Sequence, residues 1–224
     1  MPIKCAIFDL DGTITDSQHL WHEAKLNVLK NHGFTPGVGE REEFHQMELE
    51  GKLGIVGYGE YVRGKYLPGV PVKQIATEIL DDVSWHYLNT VSLKPGMEEL
   101  LRRYHEAGVT LCIATGSVRE RFVPMLEKLG VLGLFDHIFT VADSPRDKHH
   151  PDIYLMAAEA AGTTPAQTAV FEDTLYSARV AKEAGFTVVG VDEDFSHGTA
   201  EEMKAACDYF VCDYRGLPKD FLLK

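Results

Sequence analysis

The chain has 224 residues and no apolar run approaching the ~18–20 residues that a membrane-spanning helix requires, which excludes such a span. Cysteine is scarce: four residues, too few for a disulfide framework in a chain of this size. Cys5 and Cys112 fall inside apolar runs, where a thiol reads as core packing. Cys207 and Cys212 are spaced C-x4-C with no second pair nearby, which argues against zinc. Positive charge is also short, with 22 Lys and Arg against 34 Asp and Glu and a net charge of −12. Such a surface repels nucleic acid and anionic membranes, so neither is expected as a partner. An anionic substrate would need a local cluster of positive charge. The opening MPIKCAIFDL lacks the apolar segment and small-residue cleavage site of a signal peptide, and a cytoplasmic protein is expected. There is no low-complexity tract and no repeat at a fixed period.

What is present is a globular composition, 45% hydrophobic and 25% charged, in a chain long enough for one sizeable core and a smaller insert. Short apolar or β-branched runs at 4–11, 109–115, 137–142, 168–173 and 187–192 predict five strands. Between them PGMEELLRRYHEAG, VRERFVPMLEKLG, PDIYLMAAEAAG and TLYSARVAKEAG repeat apolar residues every three or four positions, each with a Gly where a helix should stop. Continuous apolar strands alternating with helices predict an α/β fold, a parallel sheet covered on both faces. Residues 16–90 break the rhythm. They read as SQHLWHEAKLNVLKNHG, REEFHQMELEGKLG and VKQIATEILDDVSWHYLNTV, three helices with a Gly-rich interruption at 54–69. The expected organisation is a discontinuous α/β core, 1–15 and 91–224, with a helical domain at 16–90 inserted after the first strand.

The first strand ends in FDLDGT, two carboxylates that strand alternation points the same way. Such a pair is unfavourable unless a cation or a shared proton offsets the repulsion. Ligands of open parallel sheets bind beyond the carboxyl ends of the strands, and other strand ends supply complementary groups. Thr115-Gly116-Ser117 offers a hydroxyl followed by N–H groups at a helix start, suited to an anion. Lys148 lies just before a helix in DKHHPDIY, and Glu172-Asp173 close the fourth strand. Acids from two strand ends would hold a hard divalent cation, Mg²⁺ before others, through oxygen. The hydroxyl and the lysine would hold a phosphate beside it. Singly, each feature has an ordinary explanation as a turn, a cap or a solvated charge. All of those explanations would have to hold at once to remove the site.

DLDGT near the N-terminus, a Thr after the second core strand, a Lys before P-D-x-Y and E-D after a later strand resemble the haloacid dehalogenase-like hydrolases, in order and at family-like spacing from residue 4 to about 192. The resemblance implies a Rossmann-like doubly wound core with an inserted helical cap. It implies Asp9 as the nucleophile that forms an aspartyl-phosphate and Asp11 as general acid, then base. Thr115 and Lys148 would bind the transferring phosphoryl group. Asp9, the Asp11 main-chain carbonyl and Asp173 would bind Mg²⁺, with Glu172 at or near the metal. A covalent intermediate splits one hard displacement into two easier ones, and the metal and the lysine neutralise the charge of the transferring group.

Asp11 is the acid that true dehalogenases of this superfamily lack, so the resemblance favours phosphate chemistry. DSQHLW looks like the DSEPLW of sugar-phosphate phosphatases with helical caps, Gln18-His19 replacing Glu-Pro. The expected activity is a Mg²⁺-dependent phosphatase acting on a small phosphorylated metabolite such as a sugar or polyol phosphate. Two alternatives stand beside it: a β-phosphoglucomutase-like mutase, weakened because Trp21 stands where those enzymes carry His, and a non-catalytic binder of a phosphorylated ligand or partner. His149, where many relatives have Pro, and Ser177, where Gly is usual, are further departures. The segment GYGEYVRGKY (57–66) is the candidate for substrate contact from the cap, through Arg63 and Lys65. His19, His22, His45 and His86 form no H-x3-H pair with a third ligand and read as ordinary polar residues.

Overall fold

The computed structural model describes residues 2–49, 54–194 and 198–224. Among them, six strands form one all-parallel sheet: β1 (Cys5–Phe8), β2 (Thr110–Thr115), β3 (His137–Thr140), β4 (Thr168–Glu172), β5 (Thr187–Val191) and β6 (Tyr209–Val211), in the order β3-β2-β1-β4-β5-β6. The first five answer the expected strands. Tyr209–Val211 was not expected, because three residues are too few to carry a pattern. From β1 the chain builds outward through β2 to β3, then returns to the far side of β1 to lay down β4, β5 and β6. The order therefore reverses between β1 and β4, and a doubly wound sheet opens a crevice at such a point, beyond the strands' carboxyl ends.

Alternation along β1 divides the core. Ala6 and Phe8 face one hydrophobic cluster with α5 (Met97–Glu106) and α6 (Arg119–Lys128), through Leu101, Tyr104, Phe122 and Met125. Cys5 and Ile7 face the other, with α7 (Asp152–Ala160), α8 (Leu175–Glu183) and α9 (Ala200–Ala206). Both faces are covered, as parallel strands require. Phe8 pairs in register with Phe171, and their rings stack at 4.4 Å. That register sets the residue after Phe8, Asp9, beside Glu172 at the end of β4.

Among the described residues, four helices lie between β1 and α5: α1 (Gln18–Asn31), α2 (Val38–Leu49), α3 (Ile55–Lys65) and α4 (Val72–Asn89). The expected helix at 41–54 is α2 as far as Leu49; its last turn, 50–53, lies outside the described residues. The Gly-rich stretch is a helix, α3, and not an interruption. Gly59 explains part of this, since a Cβ there would meet Val72 Cγ1 at 3.0 Å, so the absent side chain lets α3 approach the start of α4. Phe44 centres an aromatic cluster with Tyr58, Tyr61 and Tyr66 at ring distances of 5.3, 6.3 and 5.9 Å. The two chain crossings run side by side: Asp16 N–H donates to the Ser92 carbonyl at 3.0 Å and Lys94 N–H to the Ile14 carbonyl at 2.9 Å. α4 is also tied to α6, where Arg121 meets Asp81 at 2.9 Å and Ser84 at 2.7 Å. No helix among the described residues is long and apolar enough to cross a membrane.

Candidate active site

The chain leaves β1 through a tight turn. The Leu10 carbonyl accepts the N–H groups of Ile14 and Thr15 at 2.9 and 3.0 Å, and Gly12 takes φ +81°. A side chain at Gly12 is barred twice over: that φ strains an L residue, and a Cβ would lie 2.6 Å from Asp173 Oδ2. The turn thus presses the end of β1 against the acid that follows β4.

Asp9, Asp11, Thr115, Lys148, Glu172 and Asp173 are all buried and converge on this point. Lys148 Nζ donates to Asp9 Oδ1 at 2.6 Å and also bonds Glu172 Oε1. Tyr154 OH donates to the same Glu172 oxygen at 2.6 Å, and Thr174 Oγ1 to the other at 3.1 Å. Both carboxylate oxygens of Glu172 are therefore engaged, and its geometry is that of a brace for Lys148. Thr13 Oγ1 donates to Asp173 Oδ1 at 3.3 Å. Thr115 Oγ1 accepts the Ser117 N–H at 3.0 Å, leaving its own proton to donate.

Burial alone would depress the Lys148 pKa, but Asp9 and Glu172 outweigh it and hold the lysine above its usual range, fully charged. Asp9 is pushed upward, by burial first and then by Glu172 and Asp173, against the pull of Lys148. Too many acids crowd one ammonium. Carboxylate oxygens of Asp9, Glu172 and Asp173 lie within 4.8 Å of one another. A buried, oxygen-only, net-negative cluster suits a hard divalent cation, which would relieve the repulsion that raises Asp9.

Asp11 is held differently. Ser17 Oγ and Tyr87 OH both donate to its Oδ1 at 2.6 Å, and Ser117 Oγ donates to Oδ2 at 2.5 Å. Sequence reasoning gave none of the three this role. Tyr87 had one faint signal: it ends the buried stripe Ile75, Ile79, Val83 on α4, where an aliphatic residue would be expected.

The cleft above these groups, about 210 Å³, is lined from the core by Asp9, Asp11, Thr115, Gly116, Lys148 and Tyr176, and from α1 by Gln18, Trp21 and Lys25. His149 stacks on Tyr176 at 4.2 Å, so this departure from the family pattern backs one wall of the cleft. Arg63 and Lys65 are not among the lining residues. Lys65 instead bonds Glu43 at 2.6 Å and Tyr61 OH at 2.9 Å, and Arg63 is exposed on the same helix. No residue of 57–66, the segment expected to contact substrate, lines this cleft; the helix on that wall is α1.

The sequence profile described as "Hydrolase: haloacid dehalogenase-like hydrolase" matches residues 3–185. The chain belongs to the haloacid dehalogenase-like hydrolases. Among this hydrolase's relatives, the validoxylamine A 7'-phosphate phosphatase of Streptomyces hygroscopicus subsp. limoneus is 29% identical over 188 residues, covering 84% of this chain and 85% of that one. Hexitol phosphatase B of Escherichia coli K12 is 26% identical over 182 residues, covering 81% and 80%. The crystal structure of CbbY from Rhodobacter sphaeroides in complex with phosphate superimposes with a TM-score of 0.78 at 21% identity, covering 96% of each chain, a likeness of fold.

Proposed function

We propose that this hydrolase is a Mg²⁺-dependent phosphatase that hydrolyses a small phosphate monoester, a sugar, polyol or related metabolite phosphate, through an aspartyl-phosphate on Asp9. The observation that carries the reading is the placement of Asp9: 2.6 Å from Lys148, inside a buried acidic cluster, and on the wall of an open cleft. The named phosphatases among its relatives support the class of substrate.

An Asp9 oxygen attacks phosphorus as the bond to the leaving oxygen breaks, and Asp11 supplies the proton that oxygen needs. Water then attacks the aspartyl-phosphate, Asp11 takes its proton, and phosphate leaves. Lys148, Thr115 and the Gly116 main chain hold the phosphoryl oxygens throughout. Asp9, Asp173 and the Asp11 carbonyl would hold Mg²⁺, with Glu172 behind them bracing Lys148. When bound, the metal supplies positive charge to the transferring group and to the acids around it. Residues 16–90 serve as a cap on the core of 1–15 and 91–224: α1 places Gln18, Trp21 and Lys25 over the strand ends, where closure excludes water from the reaction.

Phosphate release from a panel of sugar, polyol and aryl phosphate esters tests the reading. Activity should appear with Mg²⁺, vanish in excess EDTA and return on adding Mg²⁺. Full activity after exhaustive chelation, or none on any ester, would refute it.

A further inference from the structure

Tyr87 closes a buried stripe on α4 that otherwise consists of Ile75, Ile79 and Val83. Phenylalanine would fill the same space. The hydroxyl is what the stripe does not need for packing, and a buried hydroxyl must find a partner. It finds Asp11 Oδ1 at 2.6 Å, with Ser117 Oγ at 3.3 Å. In the contact with Asp11 the phenol is the donor.

The three hydroxyls on Asp11 come from separate parts of the chain: Ser17 from the crossing into α1, Ser117 from the loop after β2, and Tyr87 from the last turn of α4. A carboxyl group rotates about two bonds, and donors on both of its oxygens fix both rotations. Ser17 and Tyr87 share Oδ1, but Ser17 is only six residues from Asp11 and lies just past the same turn. Tyr87 is 76 residues away, on a helix tied to α6 through Arg121. It therefore reaches Asp11 from outside the turn.

We propose that Tyr87 is a positioning residue for Asp11, its hydroxyl holding the carboxyl group in the orientation from which a proton passes to the leaving oxygen. The inference rests on the reading of Asp11 as proton carrier. Tyr87 keeps its own proton; the one transferred moves from the Asp11 carboxyl to the leaving oxygen as the P–O bond breaks.

The test is the dependence of kcat/KM on the leaving group, because this constant reports formation of the phosphoenzyme and not its hydrolysis. p-Nitrophenolate departs without a proton, whereas an alkoxide requires one. Tyr87→Phe should lower kcat/KM for the alkyl phosphate turned over fastest in the ester panel by about ten-fold, a part of the ~10²–10⁴ that general acid catalysis contributes. For p-nitrophenyl phosphate the loss should stay under about two-fold. Val83→Ala, one turn earlier on the same stripe, should loosen α4 and affect both esters alike. Equal losses on the two esters with Tyr87→Phe, no loss on the alkyl ester, or the same split from Val83→Ala would overturn the proposal. Asp11→Asn in parallel separates the two levels. If it discriminates between the esters and Tyr87→Phe does not, only Tyr87 loses its role; if Asp11→Asn does not discriminate, the assignment of Asp11 fails and this inference falls with it.

Discussion

Two lysines in this protein make nearly the same contacts. Lys148, between the strand ends, bonds Asp9 at 2.6 Å and Glu172, with its ammonium 5.7 Å from the centre of the Tyr154 ring. Lys65, on α3, bonds Glu43 at 2.6 Å and lies 5.5 and 5.2 Å from the Tyr61 and Tyr66 rings. The contacts do not distinguish a site from a surface; the surroundings do. The Lys148 side chain is 8% exposed and its partner Glu172 0%, whereas Lys65 and Glu43 are 48% and 34% exposed. Around Lys65 one positive charge meets one negative charge in water. Around Lys148 three buried acids share one ammonium, an imbalance that stability alone would not favour and that a cation and a phosphate dianion would use.

The comparison breaks most visibly at Lys148. Lys148→Met keeps the unbranched apolar stem of the side chain and strands Asp9 and Glu172 without their counter-charge. Removing one partner of a buried pair costs about 3–5 kcal/mol, so urea unfolding in EDTA should register a loss of that order, with phosphate release gone. A variant as stable as the parent would mean that the buried pair counts for no more than the exposed one.

A smaller effect is expected at Asp173, whose carboxylate contributes charge to the cluster without bonding Lys148. Asp173→Asn should raise the Mg²⁺ concentration needed for half-maximal phosphate release by more than about ten-fold, with the helical circular dichroism unchanged. An unaltered Mg²⁺ requirement would place the metal elsewhere.

The smallest effects belong to the surface pair. Lys65→Ala should leave kcat and KM for every ester unchanged and the melting temperature almost unmoved, since exposed pairs are screened by water. Glu43 is held down from its ordinary 4.5 to about 2, by Lys65 first, then Tyr61. A depressed carboxyl pKa gives stability that is present above the ordinary value and lost as pH falls toward the folded one. The gap in melting temperature between the parent and Glu43→Gln should therefore be small above pH 4.5 and should close as pH falls toward about 2. A gap that widened on acidification would reverse the assignment.

Much of this arrangement was legible in the sequence because it is local. Asp9 and Asp11 end an apolar run, Glu172-Asp173 end another, and the parallel register of β1 and β4 then has little choice but to bring them together. Burial of the strands on both faces followed from their unbroken apolar composition. What escaped was decided by packing between distant segments. Helix α3 carries Gly57, Gly59 and Gly64, a composition against helix, yet its fit against Val72 overrides propensity. β6 is three residues beside β5, a pairing visible only in space. The grip on Asp11 joins residues 6, 76 and 106 positions away, and the two longer separations leave no motif. That α1 and not α3 lines the cleft has the same origin: helix order in the chain does not say which helix faces the strand ends.

The central claim is that Asp9 carries the phosphoryl group. Rapid-quench mass spectrometry during turnover of the preferred ester, in Mg²⁺, would locate an added phosphoryl group on the peptide containing residues 5–24. The account predicts it on Asp9, absent from Asp9→Asn, and accumulating in Asp11→Asn with p-nitrophenyl phosphate, where the second step lacks its base. A phosphoryl group on any other residue, or the same labelling in Asp9→Asn, would contradict it.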